Sequence, residues 1–492
     1  MEQKKKIVVI GAGLGGISSA IHLVSAGYDV ELIEKNTHLG GKLNELKTNG
    51  FTFDLGPSIL TMPQIFKKLF EVMDEDINDY LNLIKLNLQW RCFFEDGMVI
   101  DLHEDIDKMI NNSNLEHENI KNIKEFMDYS QQLYELTEKG YFANGLDNIK
   151  EVIKFYGLKD LMSGFDYFST MHDGVSKYLD NHYLIDIYDY FIKYVGSSAY
   201  DAPAVLNILP YVQKEFGLWY VDGGMYNLAR ALEELLSEGG VKVRKNTEVK
   251  GLIKNGNVIK AVKLANGDTV QGDIFVSNME VIPAYKELLA EDANYLASYN
   301  KFEPACSGLV LHLGVDREYP ELAHHNFFFS QDSRDNFNTI FRKKELPYDP
   351  TIYLVATTRT DKSQAPAGCE NIKVLPHIPH LQTNKFTESE YLLLKDRVLD
   401  KLERMGLKNL REHVIVEDMW TPEDIKSWYK SNKGAIYGVV SDRKKNKGFK
   451  APKKSSKYNN LFFVGGSVNP GGGMPMVTLS GQQVSNMIVN DN

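Results

Sequence analysis

IVVIGAGLGGISSAIHLVSAGYDVELIE, residues Ile7 to Glu34, is the stretch that decides the fold. Ile7–Ile10 is a short β-branched run suited to a strand covered on both faces. Gly11, Gly13 and Gly16 follow in a G-x-G-x-x-G pattern, with Ala12, Leu14 and Gly15 between them. The next residues have helical spacing up to Gly27, and a second strand, Val30 to Ile33, ends in Glu34. Strand, glycine turn, helix, strand and acid, in that order, make the βαβ unit that binds a dinucleotide. Gly11 permits the tight turn, Gly13 lets backbone approach a pyrophosphate, and Gly16 lets the helix lie close to the strand. The pyrophosphate then meets free N–H groups at the positive helix end. Glu34, about 20 residues past the glycines, can accept hydrogen bonds from a ribose, and Lys35 adjoins it. A carboxylate there repels the 2′-phosphate of NADP, so NADP is not expected. Lys4-Lys5-Lys6 before an apolar segment resembles the start of a secretory signal. A signal has no use for three glycines in register and a later acid.

The whole chain sets further bounds. Its 492 residues predict about three domains. A formal net charge of −10 argues against general nucleic-acid binding. Cys92, Cys306 and Cys369 lie far apart without a CxxC, which fits a reducing cytoplasm and neither a disulfide framework nor a zinc site. No apolar run of about 18 residues occurs, so membrane contact is expected to be peripheral.

Working outward, Leu39-Gly40-Gly41-Lys42-Leu43 follows the second strand. It reads as a loop passing a diphosphate, with Lys42 neutralising charge, or as a surface turn with a solvated lysine. Phe51-Thr52-Phe53-Asp54-Leu55-Gly56-Pro57-Ser58 is an alternating strand ended by a Gly-Pro break. GxGxxG with its acid, then GGK, then F-x-x-D-x-G-P-S resembles the amine-oxidase-type flavoproteins, and within them the bacterial carotenoid desaturases and oxidases. The resemblance covers essentially the full length.

It implies an α/β fold: a Rossmann-like FAD-binding domain of the two-dinucleotide type, a mixed-sheet substrate domain and a helical cap. The expected boundaries are 1–85, 221–290 and 455–492 for the FAD domain, 86–104 and 291–454 for the substrate domain, and 105–220 for the cap. FAD is the implied cofactor. Besides the residues above, the resemblance places Gly56, Pro57 and Ser58 beside its isoalloxazine end, Val249 at the adenine side through its backbone, and Asn278 at the end of a strand returning to the flavin. Gly466, Ser467, Gly473, Met474, Pro475, Met476 and Val477 are expected to close under the reactive ring.

Other segments read as follows. Helices are expected at Pro63 to Met73, Ala204 to Glu215, Tyr226 to Leu236 and Ser389 to Met405. Val241 to Arg244, Val249 to Lys254, Val258 to Leu264 and Thr269 to Asp273 are short strands with Asn-Gly turns, similar to the family's three-stranded meander. Strands are also expected within Leu88–Leu102 and at Cys306 to Val315, His325 to Phe329, Thr351 to Ala356 and Asn371 to Pro376. Gly223 and Gly224 read either as backbone near the flavin or as a helix-start turn. His324-His325 invites a metal reading, but neighbours on a strand face opposite sides; no metal site is expected. Between Phe155 and Tyr200 there are 12 Phe or Tyr in 46 residues. They form an ordinary helical core or a lid lining a lipid entrance. Asp442 to Lys457 carries eight Lys or Arg, as a solvated loop or a contact for anionic lipid headgroups.

Nothing in the sequence resembles a Ser/His/Asp triad, and no Cys sits beside a candidate base, so the chemistry falls to the flavin. The resemblance implies a carotenoid substrate, a membrane surface at the inner face of the cell membrane, and other carotenoid-pathway enzymes as partners. Tyr194 to Leu206, Leu322 to Phe329, Lys433 to Val440 and Gly465 to Val484 are most similar to the terminal-methyl oxidases of staphyloxanthin-type biosynthesis. These make an aldehyde from 4,4′-diaponeurosporene or a similar C30 polyene. Asn469-Pro470-Gly471-Gly472-Gly473 replaces the desaturases' His-Pro-Gly-Ala-Gly, which weighs against the other chemistry of the family, desaturation. Oxygen could enter from O2 or from water capturing an allylic cation. His325, Glu215 and Asp201 are the candidate proton acceptors.

Overall fold

The Ile7–Glu34 stretch folds as strand Lys6–Ile10, helix Leu14–Ser25 and strand Asp29–Ile33 in a computed structural model. The structure describes residues 4–491 apart from 110–114, 158–164 and 167; Tyr167 of the aromatic-rich stretch therefore lies outside the described residues. Five parallel strands form one sheet in the order Leu461–Phe463, Ile274–Ser277, Lys6–Ile10, Asp29–Ile33, Lys242–Arg244. Its central strand explains the unbroken apolar run. Ile7 and Val9 enter a core shared with helix residues Ile17, Ile21, Val484 and Ile488. Val8 and Ile10 enter another, shared with Leu252, Ile259 and Val262 of the meander. Both faces are covered, so no position can be polar.

The meander itself is antiparallel: Val249–Asn255, Val258–Leu264 and Thr269–Gln271 pair in sequence. Lys242–Arg244 does not join it. That strand follows the helix Asn227–Glu238 and lies parallel at the outer edge of the five-stranded sheet. There it meets buried Glu31, which pairs with Lys6 at 2.7 Å, Lys242 at 3.6 Å and Arg244. Against the opposing effect of burial, Lys6 and Arg244 hold the Glu31 carboxyl below its usual range.

The second sheet is mixed. In order it contains Val414–Trp420, Val310–Val315, Glu370–Ile378, Ile352–Val355, His325–Phe328, Leu88–Phe93 and Val99–His103, with Ser307–Gly308 paired off the path. Only His325–Phe328 with Leu88–Phe93 pairs in parallel. Helix Glu388–Arg404 packs Leu394, Val398 and Leu402 onto Leu311, Leu313 and Val374 of this sheet. Val414–Trp420 was not among the expected strands: as an outer strand it lacks the fully buried run that marks its neighbours. The helices His117–Thr137, Ile149–Tyr156, His182–Asp189 and Ile208–Phe216 fall within residues 105–220. Leu218–Val221 pairs with Leu83–Leu86, so one two-stranded ribbon spans both the 85/86 and the 220/221 boundary.

The last helix, Met474–Asn490, lies directly on Leu14–Ser25. Ser18 donates to the carbonyl of Thr478 at 2.7 Å. A Cβ at Gly481 would stand 2.5 Å from the carbonyl oxygen of Gly15 and 2.7 Å from Cβ of Ser18. Gly481→Ala therefore has to push the two helices apart, a form of overpacking that costs about 1–3 kcal/mol. Thermal unfolding of the holoprotein is expected to shift down accordingly; an unchanged midpoint would mean the helices are not in this contact.

Candidate functional site

One cavity of about 690 Å³ runs through the chain. Three chain segments build its dinucleotide half. The turn after Lys6–Ile10 contributes Gly11, Gly13, Leu14 and Gly15; the next loop contributes Glu34, Lys35, Gly40, Gly41, Lys42 and Leu43; the Gly-Pro break contributes Gly56, Pro57 and Ser58. Val249 and Asn278 line it too, as do Gly466, Gly473, Met474, Pro475, Met476 and Val477. The residues expected at a flavin from both ends of the chain thus share one wall. Ala12, Gly16 and Ser467 stand behind it. The N–H of Ala12 donates to Glu34 Oε2 at 2.7 Å, and Ser467 Oγ accepts from the Val281 N–H at 3.0 Å. A Cβ on Gly16 would collide with the carbonyl of Gly11.

Shape and donor set suit a dinucleotide. A Cβ on Gly13 would reach within 2.5 Å of Asn278 Nδ2, so side-chain bulk is excluded where backbone must face the ligand. Helix Leu14–Ser25 begins there with Gly13 as N-cap and no capping side chain, leaving backbone donors turned to the cavity. Buried Glu34 also holds the loops together, because its Oε1 accepts from the Asn36 N–H at 2.9 Å.

Two expectations change here. Lys42, expected to neutralise phosphate, points its amine at the carbonyls of Ala435 and Ile436, 3.0 and 3.1 Å away. Burial lowers its pKa, and Glu280 is the carboxylate that opposes this. The basic run 442–457 is largely structural. Lys450 is buried on Ser441 Oγ at 2.7 Å, Lys453 is buried against Asp147, and Lys445, Lys454 and Lys457 pair with Glu303, Asp491 and Glu291. It is not the open loop that its composition implies.

The substrate half is apolar and aromatic. Leu146, Ile149, Val152, Tyr156, Phe165, Val205 and Phe449 line it from the cap side. Tyr194, Tyr353, Leu375 and Tyr437 line it from the sheet side. None of the three candidate proton acceptors is in the wall. His325 sits behind Tyr353, its Nδ1 3.0 Å from the Tyr353 hydroxyl, and burial drives its pKa well down. Asp201 pairs with Arg342 at 2.7 Å. Glu215 is exposed on the helix Ile208–Phe216. Nor do the two histidines point apart. His324 precedes the strand, so its ring lies 4.5 Å from that of His325 and its Nδ1 meets Thr360 Oγ1 at 2.7 Å. Among the described residues no group of three or more His, Cys, Asp or Glu is placed to hold a metal.

Two buried lysines missing from the sequence reading line the cavity. Lys373 lies inside the fully buried strand Glu370–Ile378 and reaches the Gly56 carbonyl and, at 3.1 Å, Ser58 Oγ. It faces Asp54, whose carboxyl accepts from the Met225 N–H at 3.0 Å. Burial raises the Asp54 pKa and lowers that of Lys373, moving the pair toward its neutral form. Lys193 lies among the rings of Trp90, Phe327, Tyr353 and Tyr194. Each had a signal in the sequence: a single cation inside a long apolar or aromatic run.

Comparison with known proteins agrees with this geometry. The family "Flavin containing amine oxidoreductase" matches residues 14–489. The chain is 56% identical over 487 residues to the 4,4′-diaponeurosporene oxygenase of Staphylococcus haemolyticus, covering 99% of this chain and 97% of that one. It is 56% identical over 490 residues to the 4,4′-diapolycopene oxygenase of a Methylomonas species, covering 99% and 98%. Among solved structures, an oxidoreductase from Methanosarcina mazei superimposes with a TM-score of 0.66 at 16% identity, over 98% of this chain and 100% of that one, which speaks to fold.

Gly13→Ala tests the cradle. Its Cβ occupies space that backbone and ligand share, so flavin retained per folded chain is expected to fall, with affinity weakened at least about tenfold, or ~1.4 kcal/mol. Visible flavin absorbance against protein concentration reads this directly. Wild-type flavin content in the variant would place the diphosphate elsewhere.

Proposed function

The chain belongs to the flavin containing amine oxidoreductases, and from that premise we propose that it is an FAD-dependent carotenoid oxygenase. In this reading it converts the terminal methyl group of a C30 polyene such as 4,4′-diaponeurosporene to an aldehyde. The observation that carries the proposal is the end-to-end identity with two oxygenases named for such polyenes. The aromatic and aliphatic lining of the substrate half supports it. FAD, when bound, supplies the two-electron oxidation. The protein's residues do the rest. The glycines admit the dinucleotide, Lys373 braces the Gly56–Ser58 turn, and the apolar walls hold a hydrocarbon while excluding water.

A peripheral position at the inner face of the membrane is part of the same proposal. No helix among the described residues is long and apolar enough to cross a membrane. Helix Ile149–Tyr156 turns Val152 inward, beside the cavity, while Ile153 and Phe155 are exposed on its outside. Phe168 in the same cap is 69% exposed. These side chains support a cap that dips into the lipid interface.

Two measurements test the reading. Expressed in a bacterial host making 4,4′-diaponeurosporene, the enzyme is expected to yield a pigment heavier by one oxygen and lighter by two hydrogens, as read by mass spectrometry. Loss of hydrogens alone would make it a desaturase. Phe155→Ser together with Phe168→Ser is expected to reduce sedimentation with anionic vesicles severalfold without loss of FAD; unchanged sedimentation would remove the cap from the membrane contact.

A further inference from the structure

Oxidising a methyl group to an aldehyde gives the cavity two kinds of occupant. The parent polyene has no polar atom. The alcohol on the way and the aldehyde at the end each carry one oxygen at the reacting carbon. Burying that oxygen without a hydrogen-bond donor is costly, so a wall that also holds the oxidised end gains from a donor beside it.

Tyr141, Tyr156, Tyr194, Tyr353 and Tyr437 line the substrate half. Four of these hydroxyls are engaged. Tyr141 donates to Asn469 Oδ1 at 2.9 Å, Tyr156 to the Leu136 carbonyl and Tyr194 to Gln213 Oε1 at 2.7 Å, while Tyr353 meets His325 Nδ1 at 3.0 Å. Tyr437 differs. Its hydroxyl has no hydrogen-bond partner among the described residues, yet it is not among the orphan atoms sealed inside the protein. The residue is half-buried and lines the cavity, so the surface it keeps is cavity surface. A phenol holds its proton at neutral pH even in water, so this hydroxyl is a donor.

The position of Tyr437 is set from several sides. Its carbonyl oxygen stands 2.3 Å from where a Cβ on Gly472 would be and 3.3 Å from that of Gly466, at and beside the residues expected under the flavin. Its ring lies across Gly196, where a Cβ would come within 2.5 Å of the ring's Cδ2, and 5.9 Å from the ring of His377. Missing side chains at Gly196 and Gly472 thus make room for the ring and the backbone, and the hydroxyl is left open. Three of the segments most similar to the terminal-methyl oxidases, Tyr194 to Leu206, Lys433 to Val440 and Gly465 to Val484, meet at this one residue.

We propose that the Tyr437 hydroxyl donates a hydrogen bond to the oxygen on the oxidised terminus of the polyene, in the alcohol and in the aldehyde. This deepens the oxygenase reading above and rests on it. No covalent bond is made or broken at this residue; it supplies orientation. The parent methyl end has nothing to accept the bond, so the donor distinguishes the oxidised molecule from the hydrocarbon. The alcohol formed first is thereby kept with its carbinol carbon at the reacting end and goes on to the aldehyde instead of leaving.

The test reads binding, not turnover. The terminal aldehyde of the C30 polyene is added to the holoenzyme, and its C=O stretch is followed by resonance Raman spectroscopy. A hydrogen bond to a conjugated carbonyl lowers that frequency relative to the same aldehyde in hexane. Wild type is expected to show the lowered frequency and Tyr437→Phe the hexane-like one. Phenylalanine fills the same space and the lost hydroxyl has no partner among the described residues, so FAD content and unfolding midpoint are expected to match wild type. Affinity for the aldehyde, read by quenching of tryptophan fluorescence, is expected to fall about 3–10-fold in Tyr437→Phe, while affinity for the parent polyene stays the same. Tyr353→Phe, whose hydroxyl meets His325, is expected to keep the lowered frequency. An unshifted carbonyl in wild type would overturn the proposal. So would an equal loss of affinity for aldehyde and hydrocarbon, which would make Tyr437 a part of the wall and nothing more. Both readouts use added ligand, so they are independent of the oxygenase reading, which a wild-type product without oxygen would overturn by itself.

Discussion

The side chain of Asn278 is the point at which this molecule is pinned. Its backbone N–H donates to Ile10 at the end of the first strand. Its amide then occupies the space where Cβ atoms would otherwise be: 2.5 Å from the Cβ position of Gly13, 2.9 Å from that of Gly15 and 3.0 Å from that of Gly465. The fingerprint turn, the third strand's exit and the C-terminal loop approach one another only because those three positions lack side chains. The rest follows by continuity. The C-terminal loop leads into the helix that lies on Leu14–Ser25. On the way Gly472 packs under the carbonyl of Tyr437, and Tyr141 of the cap donates to Asn469 at 2.9 Å. Dinucleotide wall, substrate wall and cap are thereby set by one crowded crossing.

Around that crossing burial works against the charge of Lys42, Lys193, Lys373 and Lys450, and each is handled differently. Lys42 uses two backbone carbonyls, Lys373 a carbonyl, a hydroxyl and a carboxyl, Lys450 a carbonyl and a hydroxyl, and Lys193 only ring faces. Burial lowers the pKa of all four. Desolvation of an ion costs several kcal/mol even after relaxation. A polyene offers no group to offset that. A cavity for hydrocarbon therefore favours amines that can give up their charge over carboxylates fixed in it, and the carboxylates in the lining stay at the dinucleotide end.

The sequence was most legible where one physical constraint excluded alternatives. Ile7–Glu34 is such a place, since only a doubly covered strand tolerates that run and only a close backbone approach needs those glycines. Residues from both chain ends, each carrying the same strand–glycine–helix grammar, line one wall. Legibility failed where tertiary partners decide the outcome. Charge density made 442–457 look solvated, but Asp147, Glu291 and Glu303, far away in sequence, neutralise much of it. His325 looked like a base because histidine usually is one; its depth behind Tyr353 could not be read from a strand pattern. Lys193 and Lys373 were overlooked although a lone cation in a buried run is itself a signal, since a buried charge persists only with a reason.

The cap raises a question that energy can answer. Burial of a hydrocarbon is worth roughly 0.8 kcal/mol per CH2 group, so a chain of about 30 carbons gains on the order of 20 kcal/mol on leaving water. Such a molecule does not reach an enclosed cavity by diffusing through solvent, because its concentration there is negligible. The cavity needs a mouth that lipid can wet. A helix with only one apolar face would close that mouth and stop. Ile149–Tyr156 has apolar residues on both faces, Val152 toward the cavity and Ile153 with Phe155 away from it. The fold leaves Ile153 38% and Phe155 47% exposed, apolar surface that contact with acyl chains would cover. The same short helix is an inner wall of the cavity and, in the proposed peripheral position, also the outer anchor.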